Sequence, residues 1–200
     1  MLFGTVLLLD SYCFASSCAG FGAMRALGDG VRDCPCLLEW GADISWDHAL
    51  LKAIIFDLGN TLIRQDDGHT FPHAAEVLAR LKNKYKLAII SNVLSTTTAD
   101  VVHELLRVAK LFDFFDVIAV SSEVGINKPD PRIFETVLNE LNVKPEEAVM
   151  IGNTISTDIF GGNAIGMRTV LFQLGQEYQR SEWETPDHTI HSLKELLELV

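Results

Sequence analysis

Two aspartates, a serine and a lysine stand where each could take part in the chemistry of phosphate. Asp57 and Ser91 come at the ends of apolar runs, and Asp158 follows shortly after another. Carboxylates are ligands for Mg2+, while hydroxyl and ammonium groups bind phosphate oxygens. With Lys128, these residue types could support phosphoryl transfer, which requires in-line positioning and compensation of charge.

The residues after Asp57 are suited to binding an anion. Gly59, Asn60 and Thr61 permit a sharp turn and offer backbone N–H groups and a hydroxyl. Asn92 adds an amide at the end of a second apolar run. We therefore expect Asn60, Thr61 and Asn92 to contact a substrate.

Five apolar runs predict the strands that position these side chains. They are Ala53–Phe56, Lys86–Ser91, Val117–Ser121, Ala148–Ile151 and Arg168–Phe172. Uninterrupted apolar runs are typical of strands buried on both faces. Since helical patterns alternate with them, the fold class is α/β, a three-layer α/β/α sandwich with a central parallel sheet. Ligands bind such sheets beyond the carboxyl ends of the strands.

Helix signals separate the strands. Pro72 precedes apolar residues at helical spacing, and residues 95–98 precede a second helix. Asp130 and Pro131 predict an N-cap and first helical position directly after Lys128. The predicted inner faces comprise Ala74, Val77, Leu78 and Leu81 in the first helix, Val101, Val102, Leu105 and Leu106 in the second, and Ile133, Phe134, Val137, Leu138 and Leu141 in the third. Ser192 and Glu195 predict a capping box for a final helix.

The composition restricts the partners. The 200-residue chain carries 16 Lys and Arg against 27 Asp and Glu, a formal net charge of -11. Such a protein repels a nucleic-acid backbone unless it has a local basic patch, and the sequence indicates none. An acidic protein acting on anionic substrates needs a metal ion or a well-placed lysine.

The first 50 residues differ from the rest and are predicted to be an N-terminal extension, followed by one domain over residues 51–200. All four cysteines lie in the extension, with spacings that fit no common zinc finger, so the domain needs no disulfides and a cytoplasmic location is expected. The apolar run Leu2–Leu9 resembles a secretion signal, but Asp10 ends it, and it is too short to span a membrane. An accessory segment and a reading frame opened upstream of the true start are the alternatives.

Four stretches in this order resemble the haloacid dehalogenase (HAD) superfamily over about residues 51–200. They are Asp57–Leu62, the strand ending at Ser91, Lys128–Pro131 and Gly152–Asp158. The resemblance implies a Rossmann-like sheet and a Mg2+-dependent phosphohydrolase that forms an aspartyl-phosphate. It also implies the roles: Asp57 as nucleophile, Ser91 binding the transferred oxygens and Lys128 neutralising charge.

The implied Mg2+ ligands are Asp57, the Gly59 carbonyl, Asn153 and Asp158. Asparagine at position 153, where family members more often have aspartate, implies weaker Mg2+ binding. Gly59 stands where family members carry a general acid, so activity is expected to be slow or selective for aryl and acyl phosphates. Asp66, Asp67 or His69 could act as a surrogate acid.

Two alternatives to a phosphatase remain. Haloacid dehalogenases also lack the second aspartate and carry asparagine in the fourth motif, but they depend on an inserted cap domain. About ten residues separate Thr61 from Pro72, which leaves no room for a cap. The other alternative is a catalytically impaired HAD domain that binds a phosphorylated ligand or partner.

A capless site suits a phosphate on a small molecule, a lipid head group or a protein. The tail Asp158–Asn163 is also similar to that of phosphatidylglycerophosphate-type phosphatases of the superfamily. A homo-oligomer, in which another subunit covers the site, is compatible with the sequence.

Overall fold

A computed structural model of the protein describes residues 50–175 and 185–200. They belong to a compact unit that runs from Ser45 to Val200. The four cysteines and the run Leu2–Leu9 lie outside the described residues, so the interpretations of the N-terminal extension stay predictions.

Six parallel strands form one sheet in the order β3-β2-β1-β4-β5-β6. The strands are β1 (Ala53–Phe56), β2 (Lys86–Ser91), β3 (Val117–Val120), β4 (Ala148–Gly152), β5 (Arg168–Phe172) and β6 (His188–Ile190). The strand order reverses between β1 and β4. These two strands pair directly, in a register that sets Ala53 opposite Ala148. At such a reversal a crevice opens at the carboxyl ends of the strands, and this is where ligands bind.

Helices cover both faces of the sheet. They are α1 (Ala74–Leu81), α2 (Ala99–Val108), α3 (Ser121–Val124), α4 (Pro131–Leu141), α5 (Phe160–Ala164) and α6 (Leu196–Leu199). Because successive side chains of a strand point to opposite faces, Ile54 and Phe56 pack in a core with α1, α2 and α6. Ile55 packs in a second core with α4. The predicted three-layer α/β/α architecture is confirmed.

The predicted elements correspond closely to the observed ones. All five predicted strands are present, and the predicted inner faces of α1 and α4 are buried. The face predicted for α2 is partly wrong: Val102 and Leu106 are buried, but Val101 and Leu105 are 58% and 37% exposed. Residues one position apart are rotated by about 100° around a helix, so only one of each adjacent pair faces the core here.

The C-terminal region departs from the predictions in two respects. Strand β6 was not predicted, because its three residues include a histidine and a threonine and carry no apolar run. The predicted capping box is displaced by one residue, since the Ser192 hydroxyl accepts from Lys194 N and Glu195 accepts from His191 N.

Four lysines surround a cavity of about 450 Å³ that borders the amino-terminal ends of β1 and β2, away from Asp57. They are Lys52, Lys82, Lys84 and Lys86. Three of them lie within five residues of the chain, and the pairing of β1 with β2 adds Lys52, which creates a locally basic surface that was not expected from the sequence. Three of the four ammonium groups have a partner at 2.6 Å. Lys52 pairs with Glu147, Lys82 pairs with Asp116, and Lys86 donates to the Leu141 carbonyl. The prediction that no nucleic acid binds stays untested.

Within residues 50–175 and 185–200, no helix combines the length and apolar character needed to cross a membrane.

Candidate active site

Asp57 stands directly after β1, at the reversal of the strand order. Its backbone N–H donates to the Ile151 carbonyl at 2.8 Å, which extends the pairing of β1 with β4 by one residue. The residue is 9% exposed, so its carboxylate lies in a nearly closed environment. The buried hydroxyl of Thr61 donates to Asp57 Oδ2 at 3.1 Å and fixes the orientation of the carboxylate.

Lys128 connects the two predicted aspartates. Its Nζ lies 2.6 Å from Asp57 Oδ1 and 2.7 Å from Asp158 Oδ1. Lys128 is 3% exposed and Asp158 is 1% exposed, so the three charged groups are shielded from solvent together. The fold therefore brings together three residues that are 71 and 30 positions apart in the chain.

The backbone of Lys128 is held from two directions. Asn92, which follows β2, donates from Nδ2 to the Lys128 carbonyl at 2.9 Å and accepts from its N–H at 2.8 Å. On the other side, Asp130 caps α4 by accepting from Arg132 N, and Pro131 occupies the first helical position as predicted. The lysine thus projects from a short segment fixed at both ends.

Asp158 lies in a π-helical turn over Ile155–Ile159 that leads into α5. Such turns are rare and often occur at functional sites. The Thr154 N–H donates to Asp158 Oδ2 at 3.0 Å, and the Thr157 hydroxyl approaches Oδ1 at 3.3 Å. A Cβ on Gly152 would lie 2.2 Å from Asp158 Oδ2, so only glycine at position 152 leaves room for this carboxylate.

Burial and charge act in opposite directions on the two titrating groups. Burial raises the pKa of Asp57, helped by the nearby Asp158 carboxylate and opposed by the Lys128 ammonium. Burial alone would lower the pKa of Lys128, but Asp57 and Asp158 raise it above its usual value. Lys128 is therefore favoured as a cation, and this single positive group faces two acidic side chains.

The remaining oxygens form a donor set suited to a hard cation. Asn153 Oδ1 lies 3.3 Å from the Thr61 hydroxyl, which also contacts Asp57 Oδ2. Asp57, Asp158, Asn153 and the Gly59 carbonyl offer only oxygen ligands, and Mg2+ prefers these and tolerates a site with one or two carboxylates. The residues present therefore fit Mg2+. Within the described parts of the chain, no group of three or more His, Cys, Asp or Glu side chains forms a metal cluster.

The other predicted residues lie at the same edge of the sheet in different surroundings. Ser91 is the last residue of β2. The register of β1 and β2 sets it opposite the residue that follows Asp57. The side chain of Asn60 pairs with Gln65, and that of Asn92 with the backbone of Lys128. Contact of Asn60, Thr61 and Asn92 with a substrate stays a prediction.

In the loop after Thr61, one of the three possible surrogate acids, Asp67, is bound within the loop itself, while a role for Asp66 or His69 stays a prediction. Asp67 is engaged with Arg64 and with the backbone N–H of His69, and that N–H chiefly lowers the pKa of the Asp67 carboxyl. A carboxyl with a lowered pKa is a poor proton donor. The side chain that lies against Gly59 is instead Gln65, which sequence reasoning missed because no motif marks it.

Residues 45–172 match the family of haloacid dehalogenase-like hydrolases. The chain belongs to this family. The match begins close to the predicted domain boundary and includes all four motifs.

Archaeal relatives with assigned activities are similar to this HAD-family chain. Glyceraldehyde 3-phosphate phosphatase from Pyrococcus furiosus is 37% identical over 132 residues, which cover 64% of this chain and 53% of the relative. Ribulose-1,5-bisphosphate 5-phosphatase from Halopiger xanaduensis is 36% identical over 137 residues, covering 64% of this chain and 56% of the relative. The chain thus spans about half the length of the curated relatives it matches.

Solved structures of HAD proteins share the fold. An uncharacterised protein from Listeria monocytogenes serotype 4b is 30% identical, with a TM-score of 0.61, over 74% of this chain and 98% of the other. A dehalogenase crystallised with an intermediate complex is 29% identical, with a TM-score of 0.60, over 66% of this chain and 57% of the other.

The tail of the fourth HAD motif has a packing role in this structure. A Cβ on Gly161 would lie 2.5 Å from the Phe134 ring, and one on Gly162 would lie 2.7 Å from the Thr169 methyl group. Asn163 accepts from the Thr169 hydroxyl at 2.8 Å. The close approach of α5 to α4 and β5 therefore gives these residues a structural role, and the hint of a lipid substrate stays a prediction.

Proposed function

We propose that the protein is a Mg2+-dependent phosphohydrolase that acts on phosphate monoesters through an aspartyl-phosphate on Asp57. The observation that carries the proposal is the contact of one buried ammonium, Lys128, with both Asp57 and Asp158. A nucleophilic carboxylate beside a fixed cation and a second carboxylate has the charge arrangement that phosphoryl transfer requires.

In this proposal each residue has a separate task. Asp57 presents Oδ2, which Thr61 orients, toward phosphorus. Lys128 compensates the charge of the transferred group, and Asn92 keeps Lys128 in place. Ser91, at the end of the neighbouring strand, hydrogen-bonds the phosphoryl oxygens. Direct contact of Asn60 with the substrate stays a prediction, and its side chain also holds Gln65 in the neighbouring loop.

Asp57, Asp158, Asn153 and the Gly59 carbonyl would hold Mg2+. When bound, the ion would supply positive charge to the phosphoryl oxygens and offset the excess negative charge of the two carboxylates. The loss of one ligand charge at Asn153 predicts weak binding, so millimolar Mg2+ is needed in assays.

Steady-state turnover of p-nitrophenyl phosphate tests the proposal. We expect hydrolysis by the full chain that depends on Mg2+, stops with EDTA and is absent in Asp57→Asn. A wild-type protein that binds inorganic phosphate but hydrolyses no phosphate ester would overturn the proposal. That result would favour the impaired binding domain that Gly59 and Asn153 also suggest.

Carbon–halogen hydrolysis is the second candidate. Gly59, Asn153 and the similarity to a dehalogenase structure favour it. Against it stands the short connection from Thr61 to α1, where Ile63 forms isolated bridges to Gly59 and Thr70. The lack of a cap stays a prediction. Halide release from 2-haloacids without turnover of phosphate esters would select this alternative.

The relatives guide the choice of substrates to be screened. The relatives' named substrates are phosphorylated sugars and trioses, which makes small phosphorylated metabolites the first choice for a screen. Lipid head groups and phosphoproteins stay predictions, as does a homo-oligomer. A cytoplasmic location also stays a prediction, supported by the absence of cysteine from residues 51–200.

A further inference from the structure

Gln65 lies against Gly59, where the family resemblance places the side chain of a general acid. A Cβ on Gly59 would lie 2.3 Å from Gln65 Nε2, 3.1 Å from its Cδ and 3.3 Å from its Cγ. Since the first of these distances is far inside van der Waals contact, the amide occupies the space in which a side chain at position 59 would begin. A residue of different chemistry therefore fills the place of the missing acid.

Gln65 is an exposed residue, and its side chain and backbone both bond to Asn60. Its Oε1 accepts from Asn60 Nδ2 at 3.2 Å, and its backbone N–H donates to Asn60 Oδ1 at 3.0 Å. This pairing involves Oε1 and leaves both hydrogens of Nε2 out of it. The Asn60–Gln65 pair thus presents an N–H donor on the side of Gly59.

The loop that carries Gln65 is tied to the nucleophile turn. Asn60 N donates to the Ile63 carbonyl at 2.7 Å, and Ile63 also bridges to Gly59 and to Thr70. Asn60 itself adopts the left-handed conformation, with φ of 58°. The turn that begins at Asp57 and the loop that contains Gln65 therefore form one connected unit.

We propose that Gln65 Nε2 donates a hydrogen bond to the oxygen that leaves phosphorus. This inference rests on the proposed phosphatase function and assigns that site a leaving-group residue. An amide N–H keeps its proton, so Gln65 stabilises negative charge on the leaving oxygen without acting as an acid. Asn60 is the positioning residue that orients the amide.

The two chemical steps balance without a protein-borne acid. In the first, a bond forms between Asp57 and phosphorus while the bond from phosphorus to the leaving oxygen breaks. The leaving group departs as an anion, hydrogen-bonded to Gln65, and takes a proton from water afterwards. In the second, water attacks phosphorus, the bond to Asp57 breaks, and inorganic phosphate is released with the proton of the attacking water passing to solvent.

The departure of the leaving group as an anion determines which substrates are preferred. An aryloxide or carboxylate leaves readily as an anion, whereas an alkoxide requires a proton in the transition state. The lack of an acid at Gly59 therefore favours aryl and acyl phosphates over alkyl phosphates. The Gln65 amide lessens this preference, because its hydrogen bond contributes most where the leaving oxygen carries the most negative charge.

Substitution of Gln65 tests the assignment in the full chain with saturating Mg2+. We compare Gln65→Leu and Gln65→Glu on p-nitrophenyl phosphate, phenyl phosphate and glycerol 2-phosphate. Leu removes the donor, and we expect kcat to fall roughly tenfold with little change in KM, and more steeply for the poorer leaving groups. Glu supplies a carboxyl at the same place, so turnover of glycerol 2-phosphate should rise and should decline with increasing pH as that carboxyl ionises.

Gln173→Leu is the matched control, since Gln173 follows β5, which β4 separates from β1, and donates to the Gly175 carbonyl. The control should retain wild-type kinetics. Three results would overturn the assignment of Gln65 alone: wild-type turnover in Gln65→Leu, an equal loss on all three substrates, or no new pH dependence in Gln65→Glu. Absence of Mg2+-dependent turnover in the wild type would instead overturn both this assignment and the phosphatase function.

Discussion

The side-chain amide of Asn92 forms two hydrogen bonds with the backbone of Lys128, at 2.9 Å to its carbonyl and 2.8 Å from its N–H. These bonds join the end of β2 to the segment before α4. Because the Lys128 ammonium contacts both buried carboxylates, the position of the whole charged group depends on a residue that contacts none of its charges.

Asn92→Ala removes both hydrogen bonds and leaves Lys128 Nζ less well placed. We expect kcat to fall by about 10- to 100-fold, since small displacements of catalytic groups have effects of this size. Asn83→Ala is the control, because Asn83 also bonds one backbone carbonyl, that of Ala79, but lies near the opposite end of the sheet. Equal kinetics for both variants would contradict the positioning role of Asn92.

Asp57→Asn should abolish turnover and yet increase stability at neutral pH in the absence of Mg2+. Burial raises the pKa of Asp57, so the folded state binds a proton more tightly there than the unfolded state. The contribution of Asp57 to stability is therefore present at low pH. It is lost as the pH rises from 3.8, the pKa of Asp57 in the unfolded state, through the raised pKa of the folded state.

The free energy of unfolding of Asp57→Asn should thus exceed that of the wild type by its largest amount above the raised pKa of Asp57. The difference should shrink as the pH falls toward 3.8. Urea denaturation between pH 4 and pH 8, with EDTA present, measures this difference. Added Mg2+ should stabilise the wild type more than the variant. A variant less stable than the wild type at neutral pH without Mg2+ would refute the account of the buried charges.

Lys128→Met leaves two buried carboxylates without a cation. Breaking a buried ion pair by removing one partner costs about 3–5 kcal/mol, and we expect a decrease in the free energy of unfolding of that order. Adding Asp57→Asn to this variant should recover part of the loss, and more than the same substitution adds to the wild type.

Denaturation of the single and double variants measures this coupling between positions 57 and 128. Lys84→Met is the control, because Lys84 is exposed at the cavity near the amino-terminal ends of the strands; its effect should stay within about 0.5 kcal/mol. Additive effects of the Lys128 and Asp57 substitutions would show that the two side chains do not interact energetically.

Gly152→Ala should displace Asp158, since the added Cβ would lie 2.2 Å from Oδ2 and 2.4 Å from Cγ of that aspartate. We expect a loss of about 1–3 kcal/mol of stability from overpacking, together with weaker Mg2+ binding. Calorimetric titration with MgCl2 checks the second effect.

Gly175→Ala provides the comparison for this substitution, because a Cβ at Gly175 would meet nothing within 4 Å. It should leave Mg2+ binding unchanged. If Gly152→Ala and Gly175→Ala both bind Mg2+ as the wild type does, the close approach of Asp158 to Gly152 is not required for Mg2+ binding.

Much of the fold was predictable because local patterns carried it. The run Ala53–Phe56 has no polar residue, and the observed β1 is buried along its whole length. Asp130 and Pro131 marked the start of α4, and the structure shows the predicted cap. Strand β6 escaped prediction because a three-residue edge strand depends on its pairing with β5, which is a contact made only in the folded chain.

The sequence by itself determined which residues of the site are charged and that strand ends bring Asp57, Ser91 and Asp158 to one edge of the sheet. Only the tertiary structure decided that Lys128 lies between both aspartates, that Asn92 holds its backbone and that Gln65 occupies the space beside Gly59. The physical reason is the range of the interactions. Strand and helix patterns depend on neighbours a few residues away, whereas these contacts join side chains from separate loops, which meet only when packing fixes the distances between them.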